Sequence, residues 1–376
     1  MAGIYIHIPF CKTKCIYCDF YSITDFEQQK ELVDSLILEI KQRNDYLKEQ
    51  VNTIYFGGGT PSTLSVSEID AILRAFFKTF QIEKDTEITL EANPDDLTLD
   101  YLKKLRNVGI NRLSMGVQSF DDAQLKAINR RHSAQAALNS IEMAHRAGFS
   151  NISIDLIYGL PGQSLESWKE QVDKAISLDV QHISAYGLIY EENTPLWRDM
   201  KAGRVIPTDD ETMIDMYNYL VATCRKNGFE QYEIANFAKN GYRSRHNSSY
   251  WKQQPYLGIG PAAHSYDGDS RQWNISSIRK YCKNIANNEP YFEKEILSEQ
   301  DKYNDFVMVS LRTMDGINLA ALKRDFNEKY LEHCINSAKK YLENNKLHIK
   351  EDFLRLSPDG VMLSDRIIVD LMKVGN

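Results

Sequence analysis

The sequence lacks any run of about 18 apolar residues, the least that spans a bilayer as a helix. It also lacks a basic segment followed by an apolar stretch at its start, where Met1-Ala2-Gly3-Ile4-Tyr5 opens directly. These absences exclude a spanning helix and predict a soluble, cytoplasmic chain. There is no positive excess: 45 Lys and Arg stand against 52 Asp and Glu, a formal charge of -7, which argues against nucleic acid as the main partner. Repeats and low-complexity tracts are missing, and 43% apolar with 26% charged residues fits an ordinary globular protein rather than a disordered or fibrous one. Cysteine is scarce, with 6 in 376 residues, which does not read as the disulfide framework of a small secreted domain. Three of the six nevertheless crowd into Cys11, Cys15 and Cys18, whereas Cys224, Cys282 and Cys334 lie apart and read as buried structural residues.

What is present is an alternation of strand-like and helix-like segments. β-branched or aromatic runs at Ile4 to Ile8, Thr53 to Phe56, Thr86 to Glu91, Arg112 to Val117, Ile152 to Ile157 and Ile183 to Leu188 read as strands. Between them lie helical spacings with credible ends: Ser65 and Glu68 form a capping box ahead of Ile69, Ile72 and Phe76, and Gly109 and Gly148 are helix stops. Strict alternation implies a parallel sheet with right-handed crossovers, an α/β fold of partial (β/α)6 barrel type. The expected domains are the barrel over residues 1–207, an α+β extension over 208–300 and a small C-terminal domain over 301–376. In the extension, Glu211 to Gly228 reads as a helix and Tyr232 to Phe237 as a strand, followed by a Gly-, Tyr-, Asn- and Ser-rich region to about Trp273. Short helices and then a hairpin, Leu347 to Ile349 with Phe353 to Leu356, give the last domain a winged-helix-like end. Its 12 basic and 12 acidic residues favour a structural or docking role over DNA binding.

Cys11, Cys15 and Cys18 sit in His7-Ile8-Pro9-Phe10-Cys11-Lys12-Thr13-Lys14-Cys15-Ile16-Tyr17-Cys18, at the carboxyl end of the first strand, the edge where parallel barrels build their sites. Three thiolates on one loop suit three irons of a [4Fe-4S] cubane and leave the fourth iron open to chelate a small molecule. The alternatives are a zinc site, which needs a fourth ligand to close a tetrahedron, and three packed cysteines, which the loop's Lys12, Lys14 and Asp19 disfavour.

Cys-x-x-x-Cys-x-x-Cys after a first strand resembles the signature of the radical S-adenosylmethionine superfamily, and the resemblance extends over nearly the whole chain. It implies that the open iron binds the amino and carboxylate groups of S-adenosylmethionine. Gly57-Gly58-Gly59-Thr60-Pro61 after the second strand resembles the family's loop for the amino group, and bare backbone there permits close approach. Glu91, Gln118 and Asp155 stand at or near the ends of the third, fourth and fifth strands; ribose hydroxyls and an ammonium would partner them, and capping of the following helices is the rival role. Together with Tyr5-Ile6-His7-Ile8-Pro9-Phe10-Cys11 and Gly116-Val117-Gln118-Ser119-Phe120, these motifs resemble the oxygen-independent coproporphyrinogen III oxidase branch. By that resemblance Tyr5, Tyr17, Gly58, Gly59, Thr60, Glu91, Gln118, Arg130 and Asp155 are the S-adenosylmethionine residues.

Two departures from the oxidases stand out. Phe20 occupies the position of their fourth cysteine, and the motif begins almost at the first residue, without their N-terminal segment. Both match the HemW family of heme chaperones instead. Arg245-His246-Asn247-Ser248-Ser249-Tyr250-Trp251 resembles that family's His-Asn-x-x-Tyr-Trp motif, making His246, Tyr250 and Trp251 heme candidates. Imidazole can ligate heme iron and aromatic rings can pack on a porphyrin; packing of one domain on another is the alternative. His264 is a second candidate, and Arg243 or Arg245 would suit a propionate. The resemblance implies a protein that binds heme, S-adenosylmethionine and a [4Fe-4S] cluster and hands heme to a protein acceptor, one expected at or near a membrane. The alternative is a radical enzyme on tetrapyrroles, coproporphyrinogen oxidation above all.

Overall fold

The computed structural model describes residues 1–375. Alternation within the strands explains the architecture. β1 (Ala2–Ile8), β2 (Val51–Gly58), β3 (Ile82–Ala92), β4 (Arg112–Gln118), β5 (Ile152–Tyr158) and β6 (His182–Gly187) run parallel and are hydrogen-bonded in that order. One face of each strand is apolar: Ile4, Ile6, Ile54, Phe56, Ile88, Leu90, Leu113, Met115, Ile154 and Ile183 all join the main buried core. That core is completed by helices on the outside of the sheet, such as Val66–Thr79, which buries Ile69, Ile72, Leu73 and Phe76 along one stripe. Ser65 and Glu68 make the reciprocal capping box expected of them, worth about 1 kcal/mol.

The opposite face of the strands is polar. Tyr55, Glu91, Arg112, Ser114, Asp155 and Ser184 alternate with the apolar set and point into the barrel, where they line a cavity. A barrel interior is ordinarily filled by branched apolar side chains. Here it is polar and hollow, which marks it as a binding space.

The strand order is linear, so the barrel stays open, and residues after β6 extend both of its edges. On one side β7 (Phe229–Gln231) and β8 (Asn236–Lys239) form a hairpin whose second strand lies antiparallel to β6. The continuous strand expected over Tyr232 to Phe237 is therefore split: residues 232–235 form the turn and Glu233 bridges to Thr313. On the other side β9 (Tyr256–Ile259) runs parallel to β1, followed by β10 (His264–Tyr266), β11 (Ser270–Asn274) and β12 (Phe292–Ile296). Ile278, Tyr281, Cys282 and Ile285 of the helix Ile278–Asn287 enter the same core as the barrel.

The C-terminal part has its own core around Tyr303, Val307, Leu322, Cys334, Leu354 and Ile367. The helix Glu299–Leu311, the short β13 (Ile317–Asn318), two helices meeting at Asn327 within Leu319–Glu343, and the hairpin β14 (Leu347–Lys350) with β15 (Phe353–Leu356) follow in a winged-helix order, with β15 between β13 and β14. It is tied to the barrel by Ile234 N donating to Arg312 O at 3.0 Å and Met314 N donating to Tyr232 O at 3.2 Å.

Candidate cluster and cofactor site

The loop that follows β1 carries Cys11, Cys15 and Cys18, all free and half-buried. Neighbouring loops pin its backbone. Cys11 N donates to Ile23 O at 2.9 Å, Asn129 Nδ2 to Lys14 O at 2.8 Å and Leu196 N to Ile16 O at 3.0 Å, while Lys12 pairs with Asp96 at 2.7 Å. Donors face two of the sulfurs: Thr60 Oγ1 lies 3.3 Å from Cys11 Sγ, and Arg130 Nη1 lies 3.4 Å from Cys15 Sγ. Burial pushes the Cys18 thiol up to about 11, so a metal's positive charge is what would deprotonate it. Among the described residues no three His, Cys, Asp or Glu side chains converge on one point as a single ion requires.

Beneath and beside this loop lies a cavity of about 530 Å³. Gly59 brings its backbone against the loop: its N donates to Ile8 O at 2.9 Å, and a Cβ there would stand 2.9 Å from Phe10 O. Gly58 has a φ of +110°, and a side chain would meet the His7 ring at 2.7 Å. Gln118 also holds a left-handed φ of 67° at the end of β4, a conformation that costs energy outside glycine and that turns the residue into the cavity wall.

Deeper down, Tyr55 donates to Glu91 Oε1 at 2.7 Å and Ser114 Oγ to Asp155 Oδ1 at 3.4 Å. Burial raises Glu91 to about 7 and Asp155 to about 6. Arg130 bonds Asn93 Oδ1 and Gly116 O as well as Cys15, so it clamps β3, β4 and the cysteine loop together, with its Nε left free of any partner among the described residues. Tyr17 packs against Ile128, Ile157 and Leu160 and lines the cavity.

The expected residues Cys11, Cys15, Cys18, Tyr17, Gly58, Gly59, Thr60, Glu91, Gln118, Arg130 and Asp155 thus all line one space. Tyr5 does not. Its ring lies behind the wall, stacked with Tyr55 at 6.2 Å and hydrogen-bonded to His7 at 3.1 Å. Arg112, Asn93, Tyr55, Ser114 and Ser184 line the cavity without having been singled out in sequence; the signal was the period-two row of polar residues on each strand's inner face.

The heme candidates are placed elsewhere. The helix Arg245–Trp251 closes the barrel at the amino ends of β1 and β2, where His246 lies beside Gly3 and Thr53, and its Asn247 reaches the same cavity from below. Glu87 accepts from the first amides of this helix, Arg245 N at 3.1 Å and His246 N at 3.0 Å. His246 is 1% exposed, with Nδ1 2.8 Å from Thr53 Oγ1, Nε2 2.8 Å from the Tyr250 hydroxyl and its ring stacked on Tyr55 at 4.9 Å. Both ring nitrogens are thus engaged in hydrogen bonds within the fold, and burial lowers His246 to about 3. Trp251 is half-buried, its Nε1 without a partner among the described residues. Arg243 and Arg245 are engaged as well, with Glu230 at 2.6 Å and with the carbonyl of Asp85 at 2.7 Å. His264 is exposed on β10 and faces Trp273 at 6.4 Å.

The chain matches the radical SAM superfamily over residues 5–175 and the HemN C-terminal domain over residues 297–363. It is 35% identical to a protein of Bacillus subtilis (strain 168) named heme chaperone HemW, over 98% of each chain. The chain belongs to the HemW family. A Lactococcus lactis chain of the same name is also 35% identical, over 92% of this chain and 93% of its own. Kinship reaches a Bos taurus protein named radical S-adenosyl methionine domain-containing protein 1, mitochondrial, at 31% identity over 99% of this chain and 87% of that one. The solved structure of HemN from Escherichia coli, a coproporphyrinogen III oxidase, superposes with a TM-score of 0.87, covering 99% of this chain and 90% of that one; at 23% identity this shows the shared fold. Membership of the radical SAM superfamily implies a [4Fe-4S] cluster and S-adenosylmethionine, and the HemW-family cavity described here has the thiols and acceptors that both would need. Among the described residues no helix is long and apolar enough to cross a membrane.

Proposed function

We propose that this protein is a cytoplasmic heme chaperone, which binds heme, carries a [4Fe-4S] cluster with S-adenosylmethionine in its barrel, and passes heme to a protein acceptor at or near a membrane. End-to-end similarity to HemW chains carries this reading. Cys11, Cys15 and Cys18 would hold the cluster, Gly58, Gly59 and Thr60 would meet the cofactor's amino group, and Glu91 and Asp155 would accept its ribose hydroxyls. When bound and reduced by one electron, a cluster of this kind can cleave the sulfonium of S-adenosylmethionine.

Heme itself finds a surface at the cavity mouth. Phe20 and Ile189 are 65% and 67% exposed and line the cavity beside the cysteine loop, large apolar side chains in water. Lys14 stands exposed on the same rim and supplies a positive charge for a propionate. A flat apolar ring with acidic arms matches that arrangement better than it matches the plugged end of the barrel at His246.

The test is anaerobic: reconstitute the cluster, titrate heme by its absorbance, and assay coproporphyrinogen decarboxylation in parallel with S-adenosylmethionine and a reductant. Stoichiometric heme binding without decarboxylation supports the chaperone. Turnover of coproporphyrinogen without specific heme binding makes the protein an oxidase.

A further inference from the structure

Asp96 is a buried carboxylate that the cofactor reading leaves unused. It ends the short helical turn Pro94–Asp96 that follows β3, and its side chain is 2% exposed. Three donors from three separate segments converge on it: Lys12 Nζ at 2.7 Å, Ser62 Oγ at 2.9 Å and Arg131 Nη2 at 3.1 Å. Each stands beside a residue that bears on the sulfurs. Lys12 follows Cys11 directly. Ser62 comes two residues after Thr60, whose Oγ1 lies 3.3 Å from Cys11 Sγ. Arg131 follows Arg130, whose Nη1 lies 3.4 Å from Cys15 Sγ. One carboxylate thus joins the cysteine loop to both segments that bring donors to its sulfurs.

The three contacts are not equivalent. Arg131 also pairs with Asp95 at 2.8 Å, and Ser62 Oγ also accepts from Asn93 N at 3.1 Å. Those two segments therefore stay tied to the turn around Asp96 by other bonds. Lys12 has no second partner among the described residues, so its hold on the turn is Asp96 alone. An ion pair fully in water contributes little, but here the carboxylate is out of water and its loss cannot be made good by hydration.

We propose that Asp96 is a positioning residue for the cluster: by gripping Lys12 it clamps the cysteine loop against the segments of Thr60 and Arg130, which holds Cys11 and Cys15 in place for iron. The proposal rests on the reading of Cys11, Cys15 and Cys18 as the cluster's ligands. Groups that orient metal ligands without touching the metal govern how firmly it is kept, because a ligand held in position loses less freedom on binding. The clamp should therefore show in the retention of iron rather than in the stability of the chain.

The experiment uses the full chain with its cluster reconstituted anaerobically, and follows the loss of the cluster's visible absorbance in excess iron chelator. Denaturant melts of the cluster-free chains run alongside. D96N is close in shape but gives up the charge that holds Lys12, and should lose iron about tenfold faster than wild type with its melt little changed. K12M removes the other half of the same pair and should do the same. Because both variants break one contact, D96N/K12M should lose iron no faster than either alone. K12R keeps the charge and should stay within about a few-fold of wild type. Wild-type retention in D96N overturns the proposal, as do effects of D96N and K12M that multiply in the double variant. Iron loss that merely follows a lowered melt assigns Asp96 to general stability and overturns it too. If D96N does not fold, the half-exposed Lys12 decides: fast loss in K12M that K12R restores supports the clamp, and wild-type retention in K12M overturns it. A cluster that persists in C11A overturns the reading of the cysteines themselves, an outcome distinct from the behaviour of Asp96 and Lys12.

Discussion

Tyr55 donates its phenolic hydrogen to Glu91 at 2.7 Å while its ring carries the stacked imidazole of His246 at 4.9 Å. One side chain on β2 thus joins the floor of the cofactor cavity to the plug that closes the barrel's other end. Tyr55→Phe keeps the stack and deletes the bond. A hydrogen bond to a charged group is worth about 1.5–3 kcal/mol, and its loss should raise Glu91 further above about 7. S-adenosylmethionine affinity should fall about tenfold at neutral pH and recover in part as pH rises, while heme binding at the mouth is unchanged. Equilibrium dialysis across pH checks both arms.

His246→Ala should act on stability rather than on heme. It removes bonds to Thr53 and Tyr250 and leaves partners unsatisfied in the core, a cost of about 2–4 kcal/mol. The sign with pH follows from a folded-state value lowered to about 3 from 6.5: the neutral ring's contribution is present above pH 6.5 and is lost as pH falls toward 3. Denaturant melts at several pH values should show that the wild type loses stability on that acid side by up to about 1.4 kcal/mol per unit from this group, a slope the variant lacks. A variant that is fully stable but cannot bind heme would return His246 to the heme site.

Phe20→Ser removes the most projecting ring at the mouth. Burying a phenylalanine side chain is worth about 1.5–3 kcal/mol, so heme affinity should drop by roughly ten- to a hundredfold, with iron and sulfide content unchanged. Absorbance titration against a cluster assay separates the two, and undiminished heme binding would rule out the mouth.

Gly59→Ala should empty the cluster site without touching a cysteine. Its Cβ would press at 2.9 Å on the backbone of Pro9 and Phe10, displacing the loop that positions Cys11. Iron per chain should fall well below that of wild type, as it should in C11A, C15A or C18A, whereas C334A, buried in the separate core of the C-terminal part, should keep its iron.

Much of the barrel was legible because strand and helix periodicities are local. All six inner strands appeared as β-branched runs, and the cysteine spacing pointed to its chemistry before any geometry was available. The residues after β6 were harder. Tyr232 to Phe237 carries strand-like composition, yet Glu233 and Asn236 turn inward to bond each other and the chain doubles back as a hairpin. Likewise the Gly- and Tyr-rich stretch to Trp273 holds three short strands, whose formation depends on pairing with the edge of a barrel 250 residues earlier in the chain. Short strands owe their stability to neighbours, not to their own residues.

The sequence by itself determined the cysteine loop, the glycine turn, the alternating faces of β1 to β6 and the family resemblance, since each is written in residues close together in the chain. Tertiary structure alone decided which polar residues share the cavity, that Tyr5 stands behind its wall, and that His246 closes the barrel rather than facing solvent. The reason is physical. Whether a histidine is a ligand or a packed core residue depends on which hydroxyls meet its two nitrogens, and here those come from Thr53, 193 residues away, and Tyr250, four residues along the same helix.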